Sequence, residues 1–344
     1  MIKILPLLLL WLLVITPLKA QNVNAGIDMN TFFDNSEGND YYRSTVTHAG
    51  TRFTPKLDLS TADNLHHIVG GYNFLYEFGE SELSKGAIEI YYKYQKKNIR
   101  FLLGSFPRAL MHEEMPDYLI CDSIRYFRPE MTGFDFLYAA DNGHIEVFCD
   151  WIQKRSATER EQFMAGLSSR LQIKKFQMGL EGHIYHYALE DDGHNFGHSI
   201  HEVVTTHPYV GLLLLKQDWN LLADLRLGAL LQMDRDRSDM EWHTPIGFIA
   251  DADIRWRRFT LHETFYAGKR QQYFGREGWG LYYWGDCFTQ SHWYNRTDIA
   301  YDIIQHKNVS LAARLAFNFT DKGMQWHQML TLRCNLGVGL YSRR

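Results

Sequence analysis

Residues 221–234 read Leu221-Leu222-Ala223-Asp224-Leu225-Arg226-Leu227-Gly228-Ala229-Leu230-Leu231-Gln232-Met233-Asp234. Leu221, Ala223, Leu225, Leu227, Ala229 and Leu231 fall on one side of a period of two, and Asp224, Arg226, Gly228 and Gln232 fall on the other. Side chains of a strand alternate between its faces, so this stretch has one greasy face and one wet face. A strand of about 10 such residues crosses a bilayer when its wet face lines an enclosed aqueous interior. The same alternation recurs from Ala25 to Tyr341 with no convincing helix between the segments. The pattern predicts an all-β chain: a transmembrane, antiparallel, up-and-down barrel of the outer-membrane kind.

The first twenty residues carry a different signal. Lys3 is followed by a short apolar core from Ile4 to Ile15, broken by Pro6, and Leu18-Lys19-Ala20 precedes an expected cut before Gln21. This is the arrangement of a cleaved secretory signal peptide, and the core is short for a membrane-spanning helix. No linker or charge block divides the remainder, so residues 21–344 are expected to form a single barrel. Apolar residues make up 45% of the chain and aromatics 15%, yet mean hydropathy is -0.33. Dispersing apolar residues one in two gives that combination. A net charge of -4 gives no argument for nucleic acid as a partner.

Tight polar turns punctuate the chain at Thr61–Asn64, Lys96–Asn98, Asp141–Gly143, Lys174-Lys175, Asp218–Asn220, Arg257-Arg258 and His306–Asn308. Longer connections lie between them: Asn35–Arg43, Gly79–Lys85, Ala109–Pro129, Arg155–Glu159, Leu189–Thr206, Asp234–Glu241, Gln271–Gln290 and Thr320–Gly323. Short turns on the periplasmic rim and long loops outside are the rhythm of outer-membrane barrels. The count predicts about sixteen strands, within about two either way, with both termini periplasmic. Trp151, Trp219, Trp242, Trp256, Trp293, Phe163 and Phe176 fall near strand ends, where interfacial girdles are built.

Three segments carry a resemblance. They are Gly104-Ser105-Phe106-Pro107-Arg108 closing a strand, Tyr126-Phe127-Arg128-Pro129 in the following loop, and a hairpin ending Asp150-Trp151. Together they resemble a porin-like outer-membrane β-barrel family found mainly in Bacteroidetes. The resemblance covers a short part of the chain. It implies a barrel and a pore, and it names no substrate. The chain departs from many barrels in ending Tyr341-Ser342-Arg343-Arg344 rather than on an aromatic used by the insertion machinery.

Assigning the wet faces to the lumen places Arg52, Arg296, Arg314 and Arg333 near mid-height on the second, fourteenth, fifteenth and sixteenth strands. These neighbour one another where the barrel closes, so they form a candidate basic ladder. The third long loop, about residues 109–130, carries Glu113, Glu114 and Asp117. An inward-folded loop of that charge facing such a ladder would be a constriction with a transverse field and an ion preference. The competing expectation is that the arginines pair with Asp298 and Asp302 on the wall.

Other candidates are weaker. Trp279, Tyr282, Tyr283 and Trp284 in the seventh loop could stack on sugars, or pack loop on loop. His194, His198 and His201 in the fifth loop have a metal-like spacing without further support. Cys121 and Cys287 both fall in long loops and could bridge them, a pairing that spacing does not fix. His194 with Ser199 lacks the context of a hydrolase. The sequence therefore reads as a non-enzymatic porin-like channel for passive, weakly selective diffusion of small polar solutes or ions, without cofactor or metal. Its expected partners are the outer-membrane bilayer and the barrel-insertion machinery. A homo-oligomer is allowed. A plugged structural or adhesion barrel is the main alternative, and an outer-membrane enzyme a further one.

Overall fold

The computed structural model describes residues 22–38, 41–156, 159–188, 200–237, 241–274 and 283–342. The expected signal peptide, and His194, His198, Ser199, Trp279 and Tyr282, lie outside the described residues. Sixteen strands follow in order: β1 (Asn22–Glu37), β2 (Val46–Ser60), β3 (His66–Glu77), β4 (Ser84–Lys96), β5 (Ile99–Pro107), β6 (Glu130–Ala140), β7 (Gly143–Gln153) and β8 (Glu161–Ile173). The second half comprises β9 (Phe176–Ala188), β10 (His201–Lys216), β11 (Leu221–Asp236), β12 (Ile246–Trp256), β13 (Phe259–Gly268), β14 (Trp293–Gln305), β15 (Val309–Thr320) and β16 (Gly323–Ser342).

Each strand pairs with its sequence neighbours, and β1 closes the barrel on β16. Every pairing is antiparallel; β1 runs from Asn22 opposite Ser342 to Glu37 opposite Trp326. Closure matters because hydrocarbon offers no partner for a free backbone group, so an open sheet edge is excluded there. Long and short connections alternate as the rhythm predicted. The eighth long connection is the exception, a tight turn at Asp321-Lys322 between β15 and β16.

Strand β11 shows how the pattern maps onto the wall. Leu227 is 53% exposed on the outside, while Leu230, on the other face, is 1% exposed. Ile88, Ile90, Val210 and Leu215 are likewise exposed on the outer surface. A surface of this composition suits lipid rather than water. Trp219, Trp256, Phe259 and Tyr301 mark the rim of the short turns, and Trp151, Trp242 and Trp293 the opposite rim.

The inside divides into two unequal halves. Toward the long loops, the lumen is filled by the third loop and by the second half of the seventh. Met115, Tyr118, Leu119 and Ile120 pack with Trp284 and Phe288 against wall residues including Phe106, Phe148, Met164, Leu230, Ile249 and Tyr266. Leu119 and Phe288 are wholly inaccessible. Toward the short turns, Lys56, Asp28, Arg255 and Asp253 keep partly exposed side chains, and Arg333 and Asn335 are exposed. This half is a vestibule.

Candidate functional site

The third loop leaves the wall at Arg108 and returns at Pro129, whose carbonyl accepts the Arg108 N–H at 2.6 Å. Its tip carries the short helix α1 (Asp122–Phe127). The loop is bound to the seventh by backbone: Cys121 N–H donates to Trp284 O at 2.7 Å and Asp286 N–H to Asp117 O at 2.9 Å. Gly285 permits this approach, since a Cβ there would stand 2.2 Å from the Tyr118 carbonyl oxygen. Trp284 lies between Arg108 and Arg128, each 5.5 Å from its ring.

One buried arginine organises the charges. Arg296 on β14 reaches Asp117 at 2.8 Å, Asp122 at 2.8 Å, Asp286 at 3.2 Å and Asp298 at 3.1 Å. Arg314 on β15 meets Asp298 at 2.7 Å and Asp117 and Asp122 at 3.5 and 3.6 Å. Arg125, within the loop, bridges Glu114 at 2.7 Å and binds Asp117. Burial works to raise the Asp117 carboxyl, but Arg296, Arg125 and Arg314 outweigh it and hold it below the usual carboxylate range. Asp122 is held lower still, against burial, by Arg314, Arg296 and Arg125. Asp286 moves the other way: burial prevails over Arg296 and Arg43 and pushes its carboxyl up.

The loop is also anchored around the rest of the wall. Arg52 on β2 donates to Tyr126 O at 2.9 Å, and Tyr126 stacks on Phe32 with centroids 4.8 Å apart. Tyr118 donates to Asp251 at 2.9 Å and contacts His207 Nδ1 at 2.5 Å. His112 N–H donates to Glu146 at 2.9 Å, and Glu113 pairs with Arg170 on β8. Apolar packing and charge thus hold one segment from opposite sides of the barrel.

Of the residues singled out from sequence, the structure brings together Arg296 and Arg314 with Asp117 and places Asp298 between the two arginines, while Arg52 meets the same loop at the Tyr126 carbonyl instead. Wall pairing and loop pairing coexist there. Arg333 does not join them: it pairs in register with Asn30 and Ser310, nearer the short-turn rim. Asp302 also lies low, opposite Ala312. Glu114 pairs within its own loop, and Glu113 faces the β8 wall rather than the ladder. Cys121 and Cys287 are free thiols, so the bridge is not formed, although their loops do meet. Burial raises both thiols. Tyr283 and Trp284 pack loop on loop, Tyr283 bonding Asp234. Sequence reasoning missed Asp286, which meets Arg296 and Tyr294 of the next strand only because the seventh loop folds into the lumen. It also passed over the apolar run Tyr118-Leu119-Ile120, which signalled burial inside a polar loop.

A second cluster lies on the outside, at the long-loop rim. His186 on β9 and Glu202 on β10 are register partners. They alternate with the buried, lumen-facing Tyr185 and Val203, and so point outward from the wall. His186 Nδ1 is 3.9 Å from Glu202 Oε1. Glu202 also binds Arg235 and, at 2.7 Å, Arg237. Trp151, Phe163 and His186 stack in series, with centroids 5.4 and 4.8 Å apart, and Arg235 lies 4.3 Å over Trp242. The result is a cationic and aromatic surface on the outside of the barrel at its long-loop rim.

Solved structures similar to this chain include outer-membrane proteins. OpdK of Pseudomonas aeruginosa is similar with a TM-score of 0.51 at 10% identity, covering 92% of this chain and 99% of its own. An OmpT of Vibrio cholerae lacking loop L8 gives 0.52 at 9% identity, covering 91% and 99%. OccK9 (OpdG) of P. aeruginosa gives 0.51 at 10%, covering 92% and 98%. No curated protein matches. At these identities the likeness shows the fold alone, a closed sixteen-strand barrel of the porin-like kind. The model of one family, described as lipid A 3'-O-deacylase-type, matches residues 15–342, and the chain belongs to that family. The expectation of a non-enzymatic protein is thereby corrected, since the family is named for an enzyme. Period-two patterning reports a barrel whether or not its surface does chemistry, which is why the sequence reading went astray there.

Proposed function

We propose, from membership of the lipid A 3'-O-deacylase-type family, that this barrel is an outer-membrane esterase acting on acyl chains of lipid A-type glycolipids at its long-loop rim. The observation that carries the reading is the pairing of a filled outer lumen with a polar, cationic cluster on the lipid-facing side of the wall. Arg235 and Arg237 offer guanidinium donors suited to a headgroup phosphate. The His186 imidazole beside Glu202 is the group able to take a proton from an attacking water. The stacked Trp151 and Phe163 offer flat apolar surface to the substrate.

The test is mass spectrometry of lipid A from cells expressing the protein in a host with intact lipid A. The expected result is loss of one ester-linked acyl chain with the native sequence and its retention with His186→Ala. Unchanged lipid A with the native sequence would overturn the activity. Equal deacylation by the two proteins would overturn the assignment to His186.

A second reading rests on a different observation, the opposition of Asp117 and Asp122 to Arg296 and Arg314 inside the barrel. Such an arrangement sets a transverse field across a lumen. On this reading the barrel passes small polar solutes or ions, with residues 109–130 as the constriction, once the loop shifts from its packed position. Planar-bilayer recording decides it: steps of roughly nanosiemens size, with a reversal potential altered by Asp117→Asn, are required. A silent bilayer containing inserted protein rules it out.

A further inference from the structure

At the roof of the vestibule, His112 and Glu113 from the start of the third loop meet His144 of β7. One nitrogen from each imidazole and one carboxylate oxygen lie within 4.8 Å of one another. The imidazole rings are 4.6 Å apart at 61°, neither stacked in parallel nor directed at a common protein acceptor. His144 Nε2 is 3.3 Å from Ser168 Oγ, and its Nδ1 is 4.0 Å from Glu113 Oε1. Held by Ser168 through Nε2, the His144 ring turns Nδ1 toward the Glu113 carboxylate, the position where a dication in place of a proton would join the imidazole to the carboxylate.

Around the cluster, acids alternate with guanidiniums: Arg100 binds Asp135 and Glu146, Arg170 binds Glu113, and Arg226 binds Glu181 and Asp224. Arg255 nearby is engaged by Asp253. Arg170 and Arg226 flank Glu113 and hold its carboxylate in place, the outer-shell role that orients a ligating group.

We propose that His112, Glu113 and His144 form a binding site for a transition-metal dication of the zinc class, joining the third loop to the β7 wall. Two imidazoles and a carboxylate suit zinc better than magnesium or calcium. Metal–ligand bonds of about 2.0–2.2 Å require the donors to close in. His112 is exposed, so its side chain is free to make that adjustment, and it leaves a coordination position toward the vestibule. The site owes nothing to the reading of the outer rim and stands or falls separately.

The experiment uses untagged protein, folded in detergent and stripped with chelator, titrated with Zn²⁺ at neutral pH and separately with Co²⁺. One equivalent of Zn²⁺ is expected, with Co²⁺ giving the visible absorption of an imidazole-bound ion. His112→Ala, at an exposed position, should weaken binding by more than about tenfold, and His144→Ala likewise. His67→Ala, at the far turn where His67 pairs with Asp58, should change nothing. Absence of saturable binding overturns the site, as does binding that survives His112→Ala or disappears with His67→Ala.

Discussion

In the outer half of the lumen Arg296 is 2% exposed among Asp117, Asp122, Asp286 and Asp298. In the vestibule Arg333 is exposed, and Lys56 is paired with Asp28 while both keep access to water. Both halves are lined by acids and bases on the same alternating strands. What separates them is the third loop, which removes water from one half and leaves it in the other. A charge in the dry half needs several partners at once, because its lost hydration has to be replaced. A charge in the wet half needs none. The same residue type should therefore carry very different energetic weight at the two heights.

The strongest attempt to break this comparison is Arg296→Ala. It would leave buried carboxylates facing one another, a change that costs about 3–5 kcal/mol when one partner of a buried ion pair is removed. Denaturant unfolding of the folded barrel should show that loss, and limited proteolysis should begin to cut within residues 109–129. An unchanged midpoint and an intact loop would mean that the network is not dry. Leu119→Ala probes the same half without touching charge. Leu119 is wholly inaccessible within the loop's apolar core, so the truncation should cost about 2–5 kcal/mol. It should expose the same cleavage sites while sparing the outside of the barrel. A loss well below that range would show that the core collapses easily around the gap.

Acidification gives a graded version of the test. Asp117 and Asp122 are held below the usual carboxylate range, so their contribution is complete above their unfolded pKa of about 3.9 and is lost as pH falls through the depressed folded values. Asp286 has a raised pKa. It takes up its proton first on the way down, relieving repulsion rather than adding to it. The two effects occupy different pH windows: Asp286 adds stability as pH falls toward about 3.9, and Asp117 and Asp122 withdraw it below that. Proteolytic protection of the loop should therefore hold or rise slightly from neutral pH to about pH 4 and fall only below that. Release at about pH 6 would contradict the stated shifts.

The wall was legible in the sequence because its rule is local. Leu221 through Asp234 declares its faces with no knowledge of any partner, and register follows once the turns are found. Arg296, Arg314 and Asp117 were readable as opposed charges, because loop order and strand order place them near each other. Height was not readable. A slip of a few residues along a strand separates Arg314, against the loop, from Arg333, below it. The pairing of Asp286 with Arg296 depends on how the seventh loop folds over the third, and no periodicity encodes that. The outer cluster was hidden for another reason: His186, Glu202 and Arg235 occupy lipid-side positions where the pattern leads one to expect apolar residues. Departures of this kind from an otherwise consistent rule are where function is worth seeking.

The smallest expected effect tests the wet half directly. Arg333→Ala removes the same chemical group as Arg296→Ala, from the strand that lies beside Arg314, yet at a height where water reaches it. Substitutions at such sites usually change stability by no more than about 0.5 kcal/mol. The variant should unfold at the native midpoint, and its third loop should resist protease as the native one does. A cost approaching that of Arg296→Ala would show that the vestibule is closed to water and that the boundary between the halves lies lower than the loop. A null result beside a large Arg296 effect would place that boundary between the Ala316 and Ser310 levels of β15, because Ala316 is wholly inaccessible and Ser310 is the register partner of Arg333.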